Sequence, residues 1–378
     1  MSAKRSSGKR ITVADLCRAM DSIAPPALAQ SWDNVGLLAG DMSARVSRAL
    51  LCIDLTGPVV DEALACKAGF VMAYHPPVFK PISSLTMPST GTDEAVFRCI
   101  RDRVAIYSTH TALDAADGGT NDVVARLCGL KQTEPIEYVD ATGADGHKLV
   151  VFVPEAHVEK VADAVFNAGA GRIGDYSNCS FRLAGRGSFL GSDSTNPTVG
   201  RAGCLEYVDE IRLECVVREG DLPDVVGAMR SVHPYEEPAF DIYPLRPPPV
   251  RGIGRVGSLP KPISLDRLAR KLKRATGAAC VQVVGADDQV VTRAVIVVGA
   301  AGSLPFKLPL STADVIITGE IRHHDALTIL RTGCGAVALG HWASERPVLA
   351  PMEKRLVESL PGLKVRISEA DIDPFKPV

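Results

Sequence analysis

The chain has 378 residues, with 42 Lys and Arg set against 44 Asp and Glu, and is 46% hydrophobic and 23% charged. Its length suggests two or three domains with room for sizeable cores, and its balanced charge advertises neither a nucleic-acid nor a membrane partner. The longest apolar run, around Ala294–Ala301, is far shorter than the roughly 20 residues that span a bilayer as a helix.

In chain order, the basic opening MSAKRSSGKR reads as a frayed tail rather than a targeting peptide, because an amphipathic stretch follows it from Ile11. Thr12-Val13-Ala14-Asp15 has the form of a helix-opening capping box, and Leu16, Ala19, Met20 and Ile23 follow at helical spacing. Strands are expected at Ala49–Leu55, Phe70–Ala73 and Val104–Tyr107, with helices over Val59–Ala68 and Glu94–Arg101. Near-continuous apolar strands alternating with helices predict α/β layering on a largely parallel sheet.

The texture changes near Gly143–Gly146. Residues 148–245 read as strand (LVVFV), helix (VEKVADAVFNAG), a polar hairpin region, strand (IRLECVV), helix (LPDVVGAMRSV) and strand (FDIYPL). That β-α-β-β-α-β order suits a ferredoxin-like α+β module. Pro247-Pro248-Pro249 makes a stiff exit linker. Strands then return at Ala294–Val298, Val315–Ile317 and Ala336–Leu339. The expected architecture is a discontinuous α/β core domain, 1–145 plus 250–378, folded around one sheet and carrying an inserted domain at 146–249. The ten cysteines form no C-x-x-C and sit largely inside apolar patterns, as expected of reduced thiols in a cytoplasmic protein.

Chemistry collects at the strand ends. His75 follows FVMA, His110 follows VAIYST, Glu320 follows VIITG and His341 follows AVALG. In open α/β sheets the carboxyl edge is where ligands bind, and parallel strands would bring all four groups to one rim. Two pairs sharpen the picture, since His110 and Asp114 are four residues apart, as are His341 and Glu345. Glu345 is expected in the first turn of a helix running to about Ser359, with His341 in the turn before it. Imidazoles and carboxylates without thiolate suit a divalent Zn, Fe or Mn ion. Any one of these residues alone is more often a hydrogen-bonded loop residue; the convergent set is what points to metal. His323 and His324 are adjacent on a helix, so at most one would face such a site. His147, His157 and His233 read as surface or domain-junction residues. Gly299-Ala300-Ala301-Gly302-Ser303 reads as a plain strand–loop turn, and Gly252-Ile253-Gly254-Arg255-Val256-Gly257 follows a triproline rather than a strand, so no dinucleotide fold is expected.

The segments Trp32-Asp33-Asn34-Val35-Gly36-Leu37, Tyr74-His75-Pro76-Pro77-Val78-Phe79, His110-Thr111-Ala112-Leu113-Asp114, Thr318-Gly319-Glu320 and Gly340-His341-Trp342-Ala343-Ser344-Glu345 resemble the signature segments of the NIF-three-like proteins, also called GTP cyclohydrolase 1 type 2 homologues. They occur in the family's order and cover nearly the whole core. The insertion, ending in His233-Pro234-Tyr235-Glu236-Glu237-Pro238, is similar to the CutA-like or PII-like module of longer members. The resemblance implies a homohexamer of two stacked trimers, each subunit carrying a dinuclear metal centre. By position, His75 and Asp114 would bind one ion, His341 the other, and Glu345 would bridge both. One departure matters: many members carry two adjacent histidines where this chain has Tyr74-His75. A phenol with an ordinary pKa of about 10 ligates poorly, so the second position is expected to be weak or empty, giving one or two ions per subunit.

Two functions fit. One is a metal-dependent hydrolase of a small molecule, acting on the imidazole ring of a purine nucleotide as the cyclohydrolase label suggests, with His110, Glu320, His323 or His324 moving the proton. The other is a non-catalytic metal-binding scaffold or regulatory protein, with the insertion as a sensor or assembly element.

Overall fold

The first helix, Val13–Ile23, begins where Thr12 and Asp15 cap each other: the Thr12 amide donates to Asp15 Oδ2 at 2.9 Å and the Thr12 hydroxyl accepts from the Asp15 amide. Leu16, Ala19, Met20 and Ile23 are all buried along one face. Such reciprocal capping satisfies amide donors that a helix start otherwise leaves open. In the computed structural model, residues 10–88, 90–139, 146–245 and 250–376 are described. The tail before Arg10, most of the Gly143–Gly146 boundary and the Pro247–Pro249 linker lie outside the described residues.

The chain divides into two compact units, Met1–Asp140 with Pro249–Val378, and Ala141–Pro248. The first is built on two five-stranded sheets, which corrects the expectation of one. One sheet has the order Gly36–Ala39, Ala105–Ser108, Phe70–Ala73, Arg48–Cys52 and Lys364–Ile367; the other has Arg255–Ser264, Val290–Ala300, Asp314–Glu320, Gly335–Ala338 and Gln282–Val284. The strands that matter for function run parallel in each: Arg48–Cys52, Phe70–Ala73 and Ala105–Ser108 in the first, Val290–Ala300, Asp314–Glu320 and Gly335–Ala338 in the second. Apolar runs announce buried strands but not which runs pair. Arg255–Ser264 pairs antiparallel with Val290–Ala300 and opens a new sheet, and only the last strand, Lys364–Ile367, returns to the first.

Both faces of the first sheet are covered, which is why its strands carry no polar alternation. Leu51, Met72 and Tyr107 face the helices Val13–Ile23 and Leu349–Ser359, whereas Leu50, Val71 and Ile106 face the helices Gly57–Ala65 and Thr92–Arg101. In the second sheet Ile296, Ile317 and Val337 meet Leu265, Leu268 and Leu272 of the helix Leu265–Thr276. The helix Thr120–Cys128 belongs to the N-terminal half of the chain, yet its Val124 and Cys128 sit in that second core.

Arg255 locks the two halves together. It is buried, bonds both oxygens of Asp122, and donates to the carbonyls of Gly252 and Gly254 at 2.7 Å. All ten cysteines are free, six of them buried. No helix among the described residues is long and apolar enough to cross a membrane.

The second unit carries a four-stranded antiparallel sheet in the order Phe181–Leu190, Leu205–Arg218, Gly146–Pro154, Phe240–Leu245. The helices Val158–Asn167 and Leu222–Val232 cover one face, burying Leu149, Val151, Val153, Leu213 and Cys215 against Val161, Val165, Val225 and Met229. His233, expected at the surface or a junction, is buried here: its Nε2 bonds the Phe152 carbonyl at 3.0 Å while its Nδ1 accepts the Tyr235 amide. Burial lowers its pKa, keeping it neutral.

Removing one partner of a buried, hydrogen-bonded ion pair leaves the other charge uncompensated. Arg255→Met is therefore expected to destabilise the protein by about 3–5 kcal/mol in urea unfolding; a loss below about 1 kcal/mol, the worth of a surface pair, would remove Arg255 from this role.

Candidate metal centre

The carboxyl ends of the parallel strands in the two sheets meet face to face, so residues 266 positions apart in sequence become neighbours. From the first sheet come His75, two residues past Ala73, and His110, two past Ser108. Backbone hydrogen bonds hold both, from the His75 amide to the Ile53 carbonyl at 3.0 Å and from the His110 amide to the Tyr74 carbonyl at 3.1 Å. From the second come Glu320, the last residue of its strand, and His341, which opens the short helix His341–Glu345. That helix corrects the expectation of one helix running to Ser359: a 3-10 turn, Arg346–Val348, separates it from Leu349–Ser359. Within one short helix, His341 and Glu345 are four apart and share a face.

His75, His341 and Glu345 offer ligand atoms that all lie within 4.8 Å of one another. His75 Nε2 is 3.4 Å from Glu345 Oε2, and His341 Nε2 is 3.2 Å from Glu345 Oε1. Ligand atoms about 2.0–2.1 Å from one ion are separated by roughly 2.8–3.4 Å at octahedral to tetrahedral angles. Each imidazole is aimed by a carboxylate on its other nitrogen, His75 Nδ1 bonding Asp54 Oδ1 at 2.9 Å and His341 Nδ1 bonding Glu320 Oε1 at 3.1 Å. This is the arrangement in which an outer carboxylate orients a metal-ligating imidazole.

Glu345 makes the strongest case for an ion. It is 3% exposed, and its Oε2 is buried without a hydrogen bond, having only the longer approach of His75. A buried carboxylate oxygen left in that state is costly unless a cation completes it. Space for the carboxylate is kept by Gly299, where φ is +64° and a Cβ would stand 2.5 Å from Glu345 Oε1. Gly319 does the same for the helix, since a Cβ there would meet His341 Cα at 2.9 Å and Ser344 Oγ at 2.8 Å. The donor set thus fits a divalent ion of the Zn, Fe or Mn kind.

Protonation follows the same geometry. Burial disfavours the His75 cation, but Asp54 and Glu345 outweigh it and raise its pKa to about 10. For His341 the Glu345 carboxylate dominates, over burial, and raises the pKa to about 9. Burial pushes Glu345 upward, yet the two imidazoles win and lower its pKa. The imidazoles therefore hold protons at neutral pH, which any ion binding here would have to displace.

Asp114 lies against the same cavity of about 610 Å³, which Tyr74, His110, His341 and Glu345 also line. Its Oδ1 accepts from both the Tyr74 hydroxyl, at 2.6 Å, and Thr120. Burial raises the Asp114 pKa to about 6 against those hydrogen bonds. Burial, then Asp114, pushes the Tyr74 phenol well above its ordinary value, so it stays a neutral donor. His110 bonds Asp33 Oδ1 through Nδ1 at 2.8 Å, and its backbone is strained at φ +28°. His323 and His324 are exposed in the first turn of the helix His323–Thr332, outside the gathered ligand atoms.

Three contributors escape the sequence reading. Asp54 also follows an apolar strand, so the strand-end rule applied to it would have found it. Asp33 was visible only as part of a family segment. Asp371, near the C-terminus, accepts from the Ile53 amide at 2.7 Å and from Trp342 Nε1 at 3.0 Å, joining the Asp54 loop to the ligand helix; no local pattern marks it.

The sequence signature of Duf34/NIF3 (NGG1p interacting factor 3) matches residues 11–374. The chain belongs to this family. It is 36% identical over 355 residues to a Halalkalibacterium halodurans protein named "GTP cyclohydrolase 1 type 2 homolog", covering 93% of this chain and 95% of that one. A Mycobacterium tuberculosis protein of the same name is 38% identical over 370 residues, covering 97% of each. Among solved structures, a Bacillus cereus protein described as related to NIF3 superposes with a TM-score of 0.79 at 31% identity, over 98% of this chain and 100% of its own. The mixed α/β fold is thus that of NIF3 proteins.

Glu345→Gln removes the ligand's negative charge and replaces one oxygen with an amide NH2, and Gly299→Ala drives a methyl into the carboxylate. Both variants, purified in parallel with the wild type, are expected to lose at least about 90% of bound transition metal by elemental analysis, on the scale of losing a ligand. Wild-type metal content in Glu345→Gln would exclude this ligand set.

Proposed function

We propose that this NIF3-family chain is a metal-dependent hydrolase that holds one divalent ion on His75, His341 and Glu345. The observation that carries the reading is the orphaned Glu345 oxygen beside two carboxylate-aimed imidazoles. A divalent ion supplies Lewis acidity, which lets water act as a nucleophile near neutral pH. Three protein donors leave coordination positions open, as hydrolytic sites do and closed structural sites do not. That openness favours a hydrolase over the alternative of a purely structural or regulatory scaffold. The second ion of a dinuclear centre would draw on Asp114, beside which stands the neutral Tyr74 phenol, a poor ligand bonded to Asp114 Oδ1, so the second position is weak in this chain.

His110 is suited to carry the proton. Asp33, ionised below its usual pKa by His110 and Thr111 despite burial, accepts a hydrogen bond from Nδ1–H and leaves Nε2 as the basic nitrogen. Glu320 orients His341, while the exposed His323 and His324 belong to the periphery. The exposed Trp32 ring, 6.0 Å from that of His110, gives the same cavity a flat apolar surface. The relatives' name, with its GTP cyclohydrolase, suggests a purine nucleotide as substrate, opened at its imidazole ring.

The insertion, with strand order and helix placement of a ferredoxin-like fold, fits the CutA-like or PII-like assignment, between core segments 1–145 and 250–378. Ten free cysteines accord with a cytoplasmic location. The assembly is a homohexamer of stacked trimers.

Metal-loaded wild type and His110→Gln, incubated with purine nucleotides, separate the readings. Turnover that falls about 10²–10⁴-fold in His110→Gln with metal content unchanged supports a hydrolase using that proton carrier; no turnover of any nucleotide or phosphoester by metal-loaded wild type supports the scaffold. Light scattering is expected to give six times the 40.1 kDa chain mass, and a monomer mass would remove the hexamer.

A further inference from the structure

The helix-free face of the sheet in the second unit is not bare. Phe152 and Glu210 alternate with the helix-facing Val151, Val153 and Ile211, so they point to the opposite side. There they meet Phe189 of the neighbouring strand and a roof made by two loops, one after Leu190 and one before Phe240. The loops are tied to each other: the Thr198 hydroxyl donates to the Pro234 carbonyl at 2.7 Å, and the Asn196 amide to Glu236 at 3.3 Å. Between sheet and roof lies a cavity of about 410 Å³, within the size range of small-molecule sites.

Its lining has a definite chemistry. Phe152, Phe189 and Tyr235 supply aromatic walls, and Glu210, Glu236 and Glu237 supply three carboxylates, with no lysine or arginine among the lining residues. Arg212 stacks over Phe152 at 5.8 Å, but it is held by Glu214 at 2.7 Å and does not line the cavity. Tyr235 is fixed from behind, because the buried His233 accepts its amide at 3.1 Å and bonds the Phe152 carbonyl in turn. Its hydroxyl is buried and makes no hydrogen bond of normal geometry. Burial and the neighbouring Glu210 carboxylate keep that hydroxyl protonated, its proton directed at Glu210 and its oxygen lone pairs left without a donor. A buried phenol oxygen short of a donor, at the wall of a cavity lined by aromatic rings and carboxylates, is suited to accept from a ligand N–H.

We infer that this cavity is a binding site for a small organic ammonium compound, its apolar body among Phe152, Phe189 and Tyr235 and its cationic head at Glu210. Aromatic faces and a carboxylate both attract a cation, and both penalise an anion of the same shape. The site lies wholly within the second unit and does not depend on the metal centre or on the hydrolase reading.

The test titrates the full-length protein at pH 7, by calorimetry, with phenethylammonium, tryptammonium and cyclohexylmethylammonium, each beside its carboxylate isostere. At least one ammonium compound is expected to bind saturably at one per chain, with its carboxylate partner at least about tenfold weaker. Glu210→Gln is expected to weaken the ammonium at least about tenfold, the scale of losing a hydrogen bond to a charged group. Phe189→Ala should weaken it as well, with circular dichroism checking that each variant is folded. If Glu210→Gln fails to fold, Tyr235→Phe takes its place, with at least about a threefold loss expected. The inference is overturned if no ammonium compound saturates, if the carboxylates bind equally, or if the folded variants bind like the wild type.

Discussion

One carboxylate, Glu345, sets the terms for the rest of the site. It is buried at the junction of two sheets, approached by an imidazole from each, with one oxygen short of a hydrogen bond. A charge in that position is tolerable only when cations surround it closely. The elements around it serve that need. Two sets of parallel strands aim their carboxyl ends at it, Gly299 and Gly319 keep side chains out of its way, and Asp54 and Glu320 turn the imidazoles inward. Two protons or one divalent ion can satisfy the same geometry, which suits an ion-exchanging site better than a static salt bridge.

The same constraint explains why the core unit is discontinuous in sequence but locked in space. The ligands come from both halves of the chain, so their spacing depends on contacts that join the halves. Arg255 bonds Asp122 across them, Asn121 accepts the Val298 amide at 3.1 Å, and Asp371 ties the Asp54 loop to the helix bearing His341 and Glu345. These are buried polar contacts with partners fixed at both ends, the kind that specify one arrangement more than they add stability. The strained backbone of His110 sits in the same region, where surrounding structure can hold it.

Much of this is legible in the sequence, and the parts that are not have physical reasons. His75, His110, Glu320 and His341 each stand at the end of an apolar run, so the rule that ligands gather at carboxyl edges finds them without any knowledge of pairing. The capping box at Thr12 and Asp15 is equally local, as are the helices Val158–Asn167 and Leu222–Val232. Pairing is not local. Nothing in the run AVIVV says that Val290–Ala300 joins Asp314–Glu320 in a sheet separate from Phe70–Ala73. The same limit hides Asp371, two of whose partners, Ile53 and Asp54, are over three hundred residues away, and it makes Gly299 read as an ordinary turn when its task is to clear space for Glu345. Tyr74 is the reverse case: a departure from the family pattern visible in sequence, whose consequence, a phenol committed to Asp114, only the structure displays.

The central claim is that His75, His341 and Glu345 hold one ion between the two sheets. Crystals of the wild-type protein grown with Zn, examined by anomalous diffraction at the metal edge, test it most directly. The account predicts one dominant anomalous peak, with His75 Nε2, His341 Nε2 and a Glu345 oxygen each about 2.0–2.2 Å away. A dominant peak elsewhere in the chain, or one at this cavity without Glu345 in its coordination sphere, would contradict it.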